Sequence, residues 1–348
     1  SNKGMEIGGL HNPGYANQPT QNPANSTYNV EEAFINTVLG ETWAETGEAP
    51  DWLRLYERRE DWRIGTVPQG GLFLTAGADV QKDRIEVSIW AWGRGLESWL
   101  IDHLVIDGGP GDAATWAKLS GLLGETWPHA SGVRLGLARL GIDTGYEAPA
   151  VYAWARRQGW GQVLPVKGAE GFNRSAPVSG PTHVDATEGG VKIRRGARLW
   201  TVAVATFKSE TYRFLSAAAP TEAQARHPAG YIHLPRGVDA EWVKQLVAEQ
   251  LVTVKTRRGF TRLEWQKLRE RNEALDCRVY ARAAAWIAGA DRWHERKWRE
   301  LEMQVAPAAD EMEVTEAAVR EDDHPTAGRL TAAAPRRGRR VFRSSYLS

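Results

Sequence analysis

The sequence predicts a mixed α/β domain, in which an antiparallel three-strand meander is extended by parallel strands and flanked by helices. Three observations predict it. Residues 72–79 (LFLTAGAD) are largely apolar on both alternating faces, as a strand buried on two sides must be. Residues 84–92 (RIEVSIWAW) alternate cleanly, and 98–106 (SWLIDHLVI) follow the turn Gly93-Arg94-Gly95, so short turns join three consecutive strands. Beyond them strand and helix patterns alternate, and the order β-β-β-α-β-α-β builds a mixed sheet with helices on its faces.

Taken in order, residues 1–30 are rich in Gly, Asn, Pro and Thr and read as a flexible arm. Residues 31–70 read as a helical segment. The stretch 30–39 places Phe34, Val38 and Leu39 on one helical face, and a second short helix covers 49–59. The main domain is expected over 71–304. Its first strand ends at Asp79. A helix over 112–123 sets Trp116, Leu119 and Leu123 at i, i+3 and i+7, and a fourth strand over 133–142 ends at Asp143. A helix over 148–158 carries Pro149 in its first turn, where proline is tolerated, and 162–167 is a fifth strand. Residues 168–198, polar and glycine-rich, read as a long loop or hairpin. There follow a strand at 199–205, a short helix at 208–216, and an amphipathic helix at 239–250. A hairpin over 251–256 and 260–265 then turns at Arg257-Arg258-Gly259. A long helix runs from about Glu273 through Trp286 and on towards Glu302. From 305 to 348 apolar periodicity is lost. Residues 310–323 carry seven acids and 324–348 carry six arginines and no acid, the pattern of a charged, disordered tail.

Composition sets the bounds. Hydrophobic residues at 42% are enough for a real core. A net charge of +1, from 44 basic and 43 acidic residues, names no partner for the chain as a whole. The single cysteine, Cys277, excludes an internal disulfide framework and fits a reducing compartment. No run approaches the roughly eighteen apolar residues of a membrane span, and the N-terminal SNKGMEIGG lacks the apolar centre of a signal peptide. The expected setting is cytoplasmic. The sixteen tryptophans fall mostly in strand or amphipathic contexts and read as core.

Three acids carry the chemistry. Asp79 ends the first strand, Asp143 ends the fourth (LGIDTGY), and Asp276 lies one turn into the last long helix, with Glu273 three residues earlier on the same face. The first and fourth strands of a mixed sheet can be neighbours, which would bring Asp79 and Asp143 face to face. Close carboxylates repel, and a divalent cation is the usual way to offset that. Two hard cations about 3.5–4 Å apart, held by oxygen ligands, support hydrolysis of a nucleic-acid backbone. Each acid also has an ordinary reading: an Asx-turn cap at Asp143, a helix-dipole acid at Asp276, a capping-box residue at Glu273.

Several segments, in order, resemble the nuclease domain of lambda-type phage terminase large subunits. They are 36–41 (NTVLGE), 75–81 (TAGADVQ) with Asp83-Arg84 and Trp92-Gly93-Arg94-Gly95, 142–146 (IDTGY), 166–168 (VKG) and 271–277 (RNEALDC), spanning roughly 31–290. The resemblance implies a ribonuclease H-like fold and a metal-dependent endonuclease, with Mg2+ or Mn2+ as cofactor, that cuts concatemeric viral DNA during packaging. Asp79, Asp143 and Asp276 match the family's metal-binding acids. The implied partners are double-stranded viral DNA, the terminase small subunit and the portal protein, in the host cytoplasm. The family's full-length enzyme carries an ATPase motor before the nuclease. Residues 31–70 resemble the segment that joins the two, and no G-x-x-x-x-G-K-[ST] loop occurs here, so the expectation is a C-terminal fragment with no nucleotide site.

Lesser candidates follow. Lys167 and Lys208 stand at or just after strand ends, within reach of a scissile phosphate or as plain surface lysines. Arg257, Arg258 and Arg262 on the hairpin suit a DNA backbone. His183 and Asp185 lack spaced partners and read as ordinary loop residues. Cys277 reads as a packed thiol. Two other functions fit the same pattern: a Holliday-junction resolvase or transposase-like nuclease, and a non-catalytic DNA- or portal-binding module.

Overall fold

A computed structural model describes residues 49–159, 161–220, 226–255, 260–306 and 341–342. The expected arm at 1–30, the helix at 30–39, the turn arginines Arg257 and Arg258, and nearly all of the charged tail lie outside these residues. Helix α1 (Trp52–Glu57) is capped by Asp51, and its Leu55 is buried in the core. The meander is present as β1 (Phe73–Val80), β2 (Arg84–Trp92) and β3 (Ser98–Asp107), each pair antiparallel. Next come α2 (Ala113–Leu122), β4 (Thr126–Pro128), β5 (Arg134–Asp143), α3 (Ala148–Arg157) and β6 (Val163–Ala169). Then follow β7 (Val178–Glu188), β8 (Val191–Ala203), α4 (Val204–Ser216), β9 (Ile232–His233), α5 (Ala240–Leu246), β10 (Glu249–Lys255), β11 (Thr261–Lys267), α6 (Glu273–Ala288) and α7 (Glu295–Val305). Residues 341 and 342 form a last short strand, β12, beside the start of β5.

The main sheet runs β7-β8-β6-β5-β1-β2-β3-β9, with β4 and β12 pairing off β5. Strands β1, β5, β6 and β8 are parallel, and β2, β3 and β7 are antiparallel to their inner neighbours. This antiparallel meander continued by parallel strands is the ribonuclease H-like arrangement that the resemblance implies. All eight residues of β1 are buried, as their two apolar faces require. Helix α6 covers one face of the central strands. Helix α3 lies on the other, where its Ala155 and Arg156 line a small pocket together with Val163 and Pro165 of β6.

Some elements differ from the sequence expectation. The polar stretch 168–198 is mostly the β7–β8 hairpin, and the strand expected at 199–205 is the end of β8. Helix α4 starts at Val204 rather than at 208 because Val204, Ala205 and Phe207 all reach the core. The helix expected over 239–250 stops at Leu246, since Glu249 already pairs with Lys267 in the β10–β11 ladder. The long last helix breaks at Gly289, whose φ of 104° belongs to the left-handed region that glycine enters freely. Strands β4 and β9, with three and two residues, carry too little pattern to be read from sequence.

Candidate active site

Two glycines bring α6 onto the sheet. Gly77 of β1 and Gly141 of β5 are cross-strand neighbours. A Cβ on Gly77 would stand 1.9 Å from the Cys277 carbonyl oxygen, and one on Gly141 would stand 2.7 Å from that of Tyr280. Only hydrogen fits at the first position without moving the helix. Thr75 fastens the same face, its hydroxyl donating to the Ala281 carbonyl at 2.8 Å. Two residues further along each strand, the alternation returns to the helix face, and both strands carry aspartate there. Asp79 and Asp143 therefore emerge side by side beneath the first turn of α6, which supplies Asp276. The repeated Gly-x-Asp of Gly77-Ala78-Asp79 and Gly141-Ile142-Asp143 was a readable sign of this packing that sequence reasoning passed over.

The electrostatics follow from that crowding. Asp79 is only 5% exposed. Its pKa is pushed up to about 8, chiefly by burial and then by the charges of Asp276 and Asp143; a 2.6 Å hydrogen bond from Gln81 Nε2 to Oδ2 offsets part of this. Asp276 is pushed up to about 6, again by burial first, while Lys208 pulls the other way. Burial also raises Asp143, against donors from the Gly145 amide at 2.9 Å and the Tyr280 hydroxyl at 3.0 Å.

Asp276 is held from the side by a buried polar network. Asn272 Nδ2 donates to Asp276 Oδ2 at 2.9 Å and to Glu249 Oε1 at 2.8 Å. Lys208 Nζ lies 2.8 Å from both Glu249 oxygens and 3.8 Å from Asp276 Oδ1. Burial opposes the charge on Lys208, yet Asp276 and Glu249 outweigh it and raise its pKa. Lys208 is thus neither a surface lysine nor beyond a strand end: it sits inside α4, with its ammonium anchored within the site. Glu249, Asn272, Gln81 and Tyr280 belong to the site as well. No pairing signal marks Glu249 in one dimension, since it lies in a segment expected to be helical.

Glu273 is drawn elsewhere. It pairs with Arg84 at 2.5 Å and with Arg271 at 3.4 Å. The same two arginines hold Glu86, at 2.7 and 2.6 Å; Glu86 is fully buried and is the cross-strand partner of Asp79. The expected ligand at Glu273 is therefore committed to an arginine network, a partnership that helical spacing alone does not reveal.

Lys167 is not brought to the acids. Val166 pairs with Asp143, and Gly168 lies against Val204 and Tyr280 on the α6 side, so the alternation turns the exposed Lys167 to the α3 face. Arg262 is exposed on β11 and pairs with Glu264 at 2.7 Å. It lines a cleft of about 510 Å³ that also reaches Lys208, Trp265, Asp276 and Tyr280. Cys277 is buried with its thiol on the Glu86 carbonyl at 3.2 Å, as a packed thiol should be. Asp185 accepts from the Arg195 amide at 2.9 Å within the β7–β8 hairpin that also carries His183.

The donor set of Asp79, Asp143 and Asp276 is all carboxylate oxygen, which suits hard cations such as Mg2+ and Mn2+. Burial raises all three pKa values, and neighbouring carboxylates add to it at Asp79 and Asp276, a cost that a bound cation would offset. These residues fit the implied metal.

Comparison with known proteins gives the family. The family model described as "Terminase large subunit gpA, endonuclease domain" matches residues 20–298. The terminase large subunit of Escherichia phage lambda is 35% identical over 267 residues, covering 75% of this chain and 39% of that protein. The terminase large subunit of Enterobacteria phage P21 is 32% identical over 293 residues, covering 83% and 43%. The chain thus spans about two fifths of the length of the curated relatives it matches. Among solved structures, the large terminase nuclease of thermophilic phage G20c aligns with a TM-score of 0.37 at 14% identity, covering 68% of this chain and 98% of that one. The SPP1 large terminase nuclease domain with bound Mn aligns at 0.29 and 12%, covering 65% and 87%.

Proposed function

The chain belongs to the family of terminase large subunit gpA endonuclease domains, and on that premise we propose that it cuts double-stranded viral DNA by metal-dependent phosphodiester hydrolysis during genome packaging. The observation that carries the proposal is the trio Asp79, Asp143 and Asp276, whose carboxylates face one another with no arginine, among the described residues, as a hydrogen-bond partner.

Asp79, Asp143 and Asp276 would hold the divalent cations, two in the reading preferred here, either Mg2+ or Mn2+. Bound there, such ions acidify a water and offset charge on the leaving oxygen. The chain's own groups set the stage. Gln81 occupies Oδ2 of Asp79 and orients the carboxylate. Tyr280 and the Gly145 amide fix the two oxygens of Asp143. Asn272 fixes one oxygen of Asp276, and Lys208 faces the other. Lys208 is best described as a positioning residue: its pairing with Glu249 keeps the ammonium beside Asp276. Arg262, at the mouth of the cleft, is suited to the DNA backbone, and the same role is proposed for Arg257 and Arg258.

The terminase small subunit and the portal protein are the proposed partners, in the host cytoplasm. Among the described residues no helix is long and apolar enough to cross a membrane.

The test is plasmid nicking by this chain in EDTA, Mg2+ and Mn2+, with Asp79→Asn and Asp276→Asn beside the parent. Nicking that needs metal and is lost in both variants supports the proposal. Wild-type cutting by either variant, or DNA binding without cutting in any metal, would overturn it in favour of another site or a binding module.

A further inference from the structure

At the other end of the meander, a second group of ligand-type side chains comes together. Glu60, Glu97, His227 and His233 reach it from three separate parts of the chain. The backbone fixes them. Glu60 bridges to Pro235, and its amide donates to the Leu234 carbonyl at 2.8 Å. Glu97 directly precedes β3, whose Ser98 and Trp99 pair with Ile232 and His233 of β9. Because Trp92 and Ser98 pair at one end of β2–β3, while Glu86, the partner of Asp79, pairs with Val105 towards the other, this group stands apart from the aspartates.

The side chains are arranged as a ligand set is. Ligand atoms of Glu60, His227 and His233 all lie within 4.8 Å of one another. His233 is 2% exposed and stacks on Trp99 with ring centroids 4.8 Å apart at 9°, so its orientation is set by packing. Its Nδ1 lies 2.6 Å from Glu60 Oε1 and its Nε2 lies 2.8 Å from Glu97 Oε1. His227 stands beside it, with ring centroids 4.5 Å apart and Nδ1 3.5 Å from Glu97 Oε1. Arg58, whose charge reaches His227, is spent on the carbonyls of Ala217 and Ile232 and on the face of Tyr231.

Two imidazoles and a carboxylate are the mixed nitrogen and oxygen set that zinc prefers, and differ in kind from the all-oxygen aspartate site. A carboxylate on the second nitrogen of a ligating histidine is the usual device that fixes its orientation. We propose that Glu60, His227 and His233 form a zinc site, with Glu97 orienting His233, that clips the segment before β1 and the loop before β9 to the start of β3. The site does not depend on the nuclease reading.

The test uses the full chain, without a histidine tag, carrying Asp79→Asn so that metal at the aspartates is suppressed. It is stripped with EDTA, given Zn2+ and desalted. One zinc per chain is expected to remain, and Zn2+ should raise the melting temperature by a few degrees. Adding His227→Ala should remove the retained zinc and weaken affinity by about tenfold or more; Glu60→Gln should weaken it less. His227 is half-exposed, so the variant is expected to fold, which circular dichroism checks. Co2+ in place of Zn2+ should give the intense visible bands of a four-coordinate site, absent from the His227→Ala chain. Zinc that is not retained by the Asp79→Asn chain, or is retained equally after His227→Ala, overturns the proposal and leaves a hydrogen-bonded ionic cluster.

Discussion

Asp79 and Glu86 are cross-strand partners on β1 and β2, both buried, yet they belong to two differently built groups of carboxylates. Glu86 and Glu273 share Arg84 and Arg271, so each negative charge in that group meets a guanidinium. Asp79, Asp143 and Asp276 meet one another, with the Lys208 ammonium 3.8 Å from Asp276 and itself engaged by Glu249. The first group is a finished structural network. The second is an arrangement that a divalent cation would complete. The number of acids does not separate the two; their counter-charges do.

The sharpest way to break this comparison is to neutralise one member of each group. Asp79→Asn should cost about 10³-fold or more in nicking rate, an effect on the order of that for other preorganised charge, while leaving the fold intact. Glu86→Gln should do the opposite, destabilising the chain by about 3 kcal/mol because two arginines lose a buried partner. Denaturant unfolding beside a nicking assay reads both. Equal rate losses without instability in the two variants would erase the distinction.

The pH dependence of stability sharpens it further. Asp79 titrates near 8 in the folded chain, above its usual value of 3.8, so the folded state keeps a proton that the unfolded state has released. In EDTA, stability should therefore be fully present below about pH 4 and fall as pH rises towards 8. Asp79→Asn removes the titrating group. It should match the parent near pH 4 and exceed it at pH 8, on the order of 2 kcal/mol after relaxation of the site. A parent chain that gains stability over the variant across that window would contradict the charge crowding described here.

Smaller effects are expected from Glu273→Gln. If Glu273 belongs to the arginine network, nicking should stay within about fivefold of the parent and stability fall by about 1 kcal/mol. A loss as deep as that of Asp79→Asn would return Glu273 to the ligand set. The smallest effect is expected at the cleft mouth. Arg262→Ala should weaken DNA binding by a few-fold and lower the salt slope by about one, measured by titration at several ionic strengths.

Much of this was readable in one dimension. Strand alternation placed Asp79 and Asp143 at strand ends, and the order of elements gave the mixed sheet, because burial on two faces imposes a pattern on the residues themselves. The resemblance then named the three acids together. Long-range pairings left no such trace. Lys208 reads as a lysine after a strand, yet a helix starting four residues early carries it inside to Glu249. Lys167 reads as a lysine at a strand end, and one step of alternation turns it to the wrong face.

The sequence by itself determined which residues form the central strands and where their acids stand, since period and apolarity are local properties. Only the tertiary structure decided which acids are paired with a guanidinium and which are left to face one another. That depends on how closely α6 approaches Gly77 and Gly141, and on which arginines the neighbouring strand and loop deliver to Glu86 and Glu273. Charge compensation acts through space, between groups as far apart in the chain as Arg84 and Glu273, 189 residues, and so it is set by packing rather than by pattern.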